Sequence, residues 1–204
     1  STLVLSGTNE TGATVNVYDG ATLLGAATVT GTTWSYSASV ANATTYNFNA
    51  KETDVAGNVS NATANYTVTG DTDAPIASAT TATIKNTTNA TVKSTEIGTA
   101  YLVKDSISVT DIASINSAAD TSWNQVAIVS ADTSTTIAAT GLVDGNYHVY
   151  SADTAGNLSI ESAINSVTID TTAPVAANSA AIVFIASDKL RITFAEPVST
   201  ALAI

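Results

Sequence analysis

Aspartate stands at three kinds of recurring landmark in this chain, and carboxylates repeated at matched spacing are the chemistry of a hard cation. Asp54 and Asp153 each open a D-x-A-G-N loop, ending at Asn58 and Asn157. Asp71 and Asp170 each begin a short stretch closed by proline, Asp71-Thr-Asp73-Ala-Pro75 and Asp170-Thr-Thr-Ala-Pro174. Asp19 and Asp105 each end a strand-like run, in TGATVNVYDG and IGTAYLVKDS. Carboxylates brought together without a counter-ion repel and raise one another's pKa, and a divalent ion removes that cost. Ca²⁺ accepts six to eight oxygens, amide and carbonyl oxygens among them, so Asn157 is a candidate ligand beside the aspartates. One histidine and no cysteine set the donor set against Zn²⁺. A second reading of the same residues stays open: Asp and Asn make Asx-turns, Gly57 and Gly156 supply a positive φ, and the proline stretch is a stiff linker.

Other chemistries have little to stand on. No cysteine means no disulfide framework and no thiolate nucleophile. His148, the single histidine, lies in the alternating run Tyr147-His-Val-Tyr150 and reads as a surface or edge residue. There is no G-x-S-x-G elbow, P-loop or G-x-G-x-x-G turn. Glu10, Glu52, Glu96, Glu161 and Glu196 are scattered singly, which gives a paired-carboxylate glycosidase site no support. Asn42, Asn61, Asn86 and Asn89 head N-x-S/T triplets, as chance alone would produce in a chain this rich in Asn and Thr. The formal charge of −11, with six Lys and Arg in 204 residues, argues against nucleic acid and anionic membrane as partners. No apolar run is long enough for a membrane-spanning helix, so no membrane insertion is expected.

The elements that must position these carboxylates read as strands. The chain is 45% hydrophobic and 11% charged, a balance that favours folding over disorder. Short apolar or alternating runs recur, around Leu3-Val4-Leu5, Val15 to Tyr18, Trp34 to Tyr36, Tyr46 to Phe48, Tyr66 to Val68, Ala100 to Val103, Val126 to Val129, Tyr147 to Tyr150 and Ile164 to Ile169. Gly, Asn, Asp and Thr break them, Asp19-Gly20 and Asp144-Gly145 as turn dipeptides, and no stretch gives a convincing helical period. Trp34 and Trp123 read as core anchors.

Residues 54–75 and 153–174 match at a constant offset of 99, through Asp54/Asp153, Gly57/Gly156, Asn58/Asn157, Asp71/Asp170, Ala74/Ala173 and Pro75/Pro174. A period near 100 is that of whole domains in tandem. Gly12/Gly98 and Asp19/Asp105 match at 86, so the second repeat holds 13 more residues in its middle, as a loop or added hairpin. The expected organisation is all-β: tandem immunoglobulin-like β-sandwich domains with an incomplete third β unit. Residues 1–72 are a repeat lacking its first strand, 73–171 a repeat with a longer middle, and 172–204 the start of a third domain. That start holds a hairpin through Ile182–Ile185 and Leu190–Phe194. The chain as given reads as a fragment of something larger.

An immunoglobulin-like sandwich places its N-terminal end beside the B–C and F–G loops. Taking the strand that ends at Asp19 or Asp105 as B, and the D-x-A-G-N loop as F–G, brings Asp71, Asp73, Asp105 and Asp153 to one pole of the second repeat. The same logic expects a half-site of Asp19 and Asp54 in the first repeat, and Asp170, with Asp188, serving the third unit.

The pair D-x-A-G-N and D-T-[DT]-A-P resembles the tandem Ig-like repeats of giant secreted bacterial adhesins of the RTX and biofilm type, and of some surface-layer proteins. The resemblance covers residues 1–174, and LRITFAEPV after Pro174 looks like the opening of a related repeat. It implies an extracellular or cell-surface, extended, calcium-binding stalk, with neighbouring repeats and cell-surface or lattice components as partners. Asp73 aligned with Thr172 is a departure that makes the two junctions unequal in carboxylates. The expected function is a non-enzymatic structural and adhesive segment stiffened by Ca²⁺ at the junctions. The alternatives are a surface-layer lattice subunit, or a carbohydrate-binding accessory module, which would need an exposed aromatic platform from Trp34, Tyr36 or Trp123.

Overall fold

The structure, a computed structural model, describes residues 2–162, 166–174, 182–186 and 189–192. The first repeat contains β1 (Thr2–Thr8), β2 (Thr14–Asp19), β3 (Thr22–Ala26), β4 (Thr28–Thr30), β5 (Thr33–Ser39), β6 (Thr45–Thr53) and β7 (Tyr66–Thr69). They form two antiparallel sheets, in the order β1-β5-β4 and β3-β2-β6-β7. β5 sets exposed Thr and Ser against inward Trp34, Tyr36 and Ala38, and β1 turns Leu3 and Leu5 inward with Thr2, Val4, Ser6 and Thr8 outward, the signature of a strand with one face inward.

The second repeat contains β8 (Ala77–Ala79), β9 (Ala82–Ile84), β10 (Asn89–Ser94), β11 (Gly98–Lys104), helix α1 (Ile112–Asn116), β12 (Trp123–Ile128), β13 (Thr135–Ala138), β14 (Gly145–Asp153) and β15 (Val167–Ile169). Its sheets run β13-β10-β8 and β12-β11-β14-β15-β9. The β9–β15 pair is parallel and the other pairs are antiparallel. Ala79, Ala90, Val92 and Ile137 of one sheet pack against Ala100, Leu102, Tyr147, Val149 and Val167 of the other in one core cluster, which makes this a β-sandwich. A third pair, β16 (Ile182–Ala186) and β17 (Lys189–Ile192), is an antiparallel hairpin at the position expected from sequence. Among the described residues no helix is long and apolar enough to cross a membrane.

The longer middle of the second repeat is neither a plain loop nor a hairpin, since it carries α1. Asp111 accepts the Ser114 N–H at 2.7 Å while the Ser114 hydroxyl accepts the Asp111 N–H, a reciprocal cap that starts a helix of only five residues. Ile115 of α1 is fully buried in a second cluster with Tyr101, Val103 and Tyr150, flanked by Ile107, Val109, Ile112 and Trp123. The insertion therefore roofs the outer face of the β11–β14 sheet, which is why β14 is buried on both faces from Val149 to Asp153. Neither tryptophan is wholly interior. Trp123 packs in this outer cluster, its ring 6.2 Å from Tyr101. Trp34 lies across Gly7, where an added Cβ would stand 2.8 Å from its Nε1.

In both repeats hydroxyls take the place of a strand partner along the later part of the F strands, β6 and β14, beyond the residues that pair with β7 and β15. Ser60 and Thr63 accept the N–H groups of Glu52 and Ala50, and return their own N–H groups to the carbonyls of the same residues. Ser159 and Ser162, 99 positions on, do the same for Ser151 and Val149. The segments after Asn58 and Asn157 thus satisfy the sheet without joining it.

The sheets correct the strand assignment made from sequence. β1 and β10 precede the runs ending at Asp19 and Asp105, and pair with β5 and β13. They are the B strands, so β2 and β11 are C. Strand C starts at the F–G pole and runs away from it. Gly98 is opposite Asp153, whereas Lys104, one residue before Asp105, is opposite Tyr147. Six residues of strand separate the two ends, about 20 Å.

Candidate functional site

The junction is built from three turns. The D-x-A-G-N loop folds on itself: the Asn157 N–H and amide donate to Asp153 Oδ1 and Oδ2 at 2.9 and 2.8 Å, and Gly156 takes φ 92° to close the turn. Asp54, Gly57 and Asn58 repeat it, with both bonds at 2.8 Å and φ 91°. The turn chemistry that sequence left open is therefore real. It also aims Asp153, 8% exposed, toward the end of the sandwich. The second turn lies between β10 and β11 and carries Glu96, whose N–H donates to Ser94 Oγ. Gly98 follows it, where an added Cβ would meet the Ala152 carbonyl at 2.0 Å, so glycine lets the B–C turn close on the F–G loop. The third turn is the linker, in which Asp71 Oδ1 accepts the Asp73 N–H at 3.2 Å.

These turns bring Asp71, Glu96 and Asp153 together. One carboxylate oxygen from each lies within 4.8 Å of the other two, the one such trio of acidic, histidine or cysteine side chains among the described residues. Oxygens that share a Ca²⁺ at about 2.4 Å can be no farther apart than about 4.8 Å, so the trio fits one ion. Burial raises the Glu96 pKa above the ordinary glutamate range, and the charges of Asp71, Asp153 and Asp73 push it further in the same direction. The Asn157 amide also donates to the Asp71 carbonyl at 3.3 Å, tying linker to loop.

Of the residues expected from sequence, Asp71 and Asp153 meet as anticipated. Asp105 does not join them, because strand C carries it to the far pole. There it receives His148 Nε2 at 3.0 Å, and the same nitrogen lies 2.9 Å from Glu161. His148 sits on the central strand β14, partly shielded, and not on an edge. Asp19 and Asp54 are separated in the same way: Asp19 is opposite Phe48 and accepts the Asn47 N–H at 2.7 Å, while Thr53, next to Asp54, is opposite Thr14. Nor are Asp19 and Asp105 equivalent. Gly20 and Asp105 each donate their N–H to the carbonyl of Asn47 or Asn146, so Asp105 stands where the first repeat has Gly20. Asp188 falls outside the described residues.

Asp73 is turned the other way. Its Oδ2 accepts from the Asn42 amide at 2.7 Å, and Asn42 Oδ1 accepts the Thr72 N–H at 2.9 Å. The linker is thus clamped to the turn between β5 and β6 of the first repeat. At the second junction Asp144 takes the role of Asn42. Its Oδ1 accepts the Thr171 N–H at 3.0 Å, its Oδ2 the Thr172 hydroxyl at 3.0 Å, and Asp170 Oδ1 accepts the Thr172 N–H at 2.9 Å. Hydrogen bonds from Thr171, with a further one from Thr172, hold the Asp144 pKa below the ordinary aspartate range. The mismatch of Asp73 with Thr172 is compensated across the seam: an amide faces a carboxylate at one junction, and a carboxylate faces a hydroxyl at the other.

The residue that sequence reasoning missed is Glu96. The signal was present, since Glu10 and Glu96 match at the same offset of 86 as Gly12 and Gly98. Glu10 lies in the equivalent turn between β1 and β2.

No protein-family model matches the chain, and no curated protein matches it. Solved structures similar to it include the fibronectin(III)-like modules of Clostridium thermocellum CbhA, at 17% identity over 83% of this chain and 84% of that one, with a TM-score of 0.47. Another is the Bacteroides ovatus mixed-linkage glucan utilization locus protein SGBP-B in complex with a mixed-linkage heptasaccharide. Its identity is 16% over 93% of this chain and 45% of that one, with a TM-score of 0.27. Neither overlap is close enough to carry a function across.

Proposed function

We propose that this chain is a non-catalytic structural segment of an extracellular or cell-surface protein, in which β-sandwich repeats are held in line by Ca²⁺ bound where two repeats join. The observation that carries this is the meeting of Asp71, Glu96 and Asp153. One comes from the linker and two from the loops of the following repeat. An ion there ties the linker to the pole of the second repeat, and the Asn42 clamp ties the same linker to the first. Between those two anchors the linker keeps few free torsions, so the repeats rotate little against each other. Extracellular Ca²⁺ modules bind at about 10⁻⁴ to 10⁻³ M, so such a site fills outside a cell and empties inside it. The ion is chosen by the donor set, which is carboxylate oxygen throughout.

The test is a Ca²⁺ titration by calorimetry on the whole chain, beside Asp153→Asn and Asp105→Asn. The expected result is millimolar or tighter binding that Asp153→Asn removes and Asp105→Asn leaves intact. No heat up to 10 mM Ca²⁺ (about tenfold above the weakest usual range), or equal loss in both variants, overturns the reading.

A further inference from the structure

Where the longer middle of the second repeat returns to its sheet, it leaves a polar cleft that the cation reading does not use. The cleft is open, holds about 270 Å³, and is lined by Asp120, Trp123, Asn124 and Gln125. It lies along β12, the last strand of its sheet among the described residues. It is also nearer the pole away from Asp71, Glu96 and Asp153, since Trp123 is opposite Val103 whereas Ile128 is opposite Gly98. The backbone beneath it is fixed in advance. Ser122 donates its N–H to the Ala119 carbonyl at 2.8 Å, closing the turn that carries Asp120. Val143 donates to the Thr121 carbonyl at 3.1 Å and Lys104 to the Ser122 carbonyl at 2.9 Å. From Trp123 to Ile128 the strand pairs with β11 without a break.

The four side chains offer different things. Trp123 and Gln125 are two apart on one strand and share its outer face. Trp123 is half-buried: Tyr101 packs on part of its ring, and the rest lines the cleft. Asn124 donates its amide to the Ala138 and Thr140 carbonyls at 2.9 and 3.0 Å, so both its N–H groups are engaged and its oxygen remains as an acceptor. Asp120 and Gln125 are exposed, and among the described residues neither side chain has a partner. The cleft thus presents an aromatic surface, a carboxylate, an amide oxygen and one whole amide. Acceptors outnumber donors, and no Lys, Arg or His lines it.

That set discriminates among ligands. An anion meets Asp120 with no cation to offset it, on a chain of formal charge −11. A wholly apolar ligand would strip water from three polar groups and give nothing back. A quaternary ammonium suits the ring and the carboxylate but leaves the Gln125 N–H groups without an acceptor. A pyranose answers every group: its C–H face covers the indole, and its neighbouring hydroxyls donate to the carboxylate and amide oxygens while accepting from Gln125. We infer that this cleft is a subsite for one neutral sugar ring, with Trp123 as its floor and Asp120, Asn124 and Gln125 holding the hydroxyls. It gives the flank of the second repeat a glycan contact that is separate from the Ca²⁺ junction.

The probes are the methyl glycosides of glucose, galactose and mannose, added to the isotope-labelled full chain and followed by NMR. Trp34→Phe leaves Trp123 as the remaining tryptophan and so assigns its indole peak. A ligand of about a dozen heavy atoms in an open site binds in the millimolar range. The expected result is saturable movement of the Trp123 indole and Gln125 side-chain amide peaks by at least one glycoside, with the Trp34 peak unmoved, the same with or without Ca²⁺. Asp120→Ala and Gln125→Ala should each raise Kd by roughly fivefold, the loss of one hydrogen-bonding group. Both residues are exposed, so Tm should not change. No saturable movement with any of the three up to about 100 mM, roughly a hundredfold above a millimolar Kd, overturns the inference, as does an unchanged Kd in both variants. So does tetramethylammonium moving these peaks where no glycoside does, which would assign the ring and carboxylate to a cation. Glycoside binding in a chain that gives no Ca²⁺ heat would sink the junction reading and keep this one, and the converse would do the reverse.

Discussion

Removing the Glu96 charge has opposite consequences with and without a cation. Its folded-state pKa is raised, by burial first and by Asp71, Asp153 and Asp73 after it. Glu96 therefore costs nothing below its unfolded pKa, and the cost of ionising it in the folded state grows as pH rises through the raised value. Glu96→Gln in chelator should raise Tm slightly at pH 7, by roughly one or two degrees, and leave it unchanged near pH 4. In 10 mM Ca²⁺ the same variant should melt lower than the parent, because saturation near 100-fold above Kd is worth about 2.7 kcal/mol. Thermal melts at the two pH values, with and without Ca²⁺, check all four signs. A shift of the same sign in both buffers would mean that no ion uses Glu96. The meeting of Asp71 and Asp153 was legible in the sequence because the 99-residue repeat marks them and a D-x-A-G-N turn points one way, whereas Asn157, expected to lend an amide oxygen, has its amide donating to Asp153 and to the Asp71 carbonyl. Asp105 misled because a turn aspartate at the end of strand C looks the same as one at the end of strand B. What separates them is which strand pairs with which, and no local pattern records that.

The linker clamps belong to the scale of the element. Asn42 with Asp73, and Asp144 with Thr172, each carry one negative charge across a seam, but on opposite sides of it. Asn42→Asp should set two carboxylates against each other and loosen residues 71–75, raising the rate of proteolysis there. Adding Asp73→Thr to it rebuilds the second seam's pairing at the first and should restore resistance, a coupling of about 1 kcal/mol in a double-mutant cycle. Additive effects of the two changes would show that the bonds do not act as a pair. Some elements could be read from sequence and others could not, for a physical reason. β5 and β6 announce themselves by alternation, Trp and Tyr with Thr and Ser in β5 and Tyr and Phe with Asn in β6, and β1 by its apolar run Leu3-Val4-Leu5. β8 and β9 hold only Ala, Ser, Thr and one Ile, so their strand character comes from the partners they lie beside. α1 is five residues set by one capping pair, too short for any period to show.

For the whole molecule, the expected outcome of Ca²⁺ removal is a more compact and variable shape as the junction gains freedom. Small-angle scattering with and without chelator should show the maximum dimension fall and the flexibility rise, with protease cleavage appearing at residues 70–75. Identical profiles would mean that the clamp alone holds the repeats. The parallel β9–β15 pair described above has a mechanical consequence. The chain enters the second repeat just before β8 and leaves it just after β15. Tension along an array pulls β9 and β15 in opposite directions along their common axis. The hydrogen bonds between them, from Val167 with Ala82 to Ile169 with Ile84, are then loaded together in shear instead of being unzipped in turn. A repeat latched by that pair yields to force late.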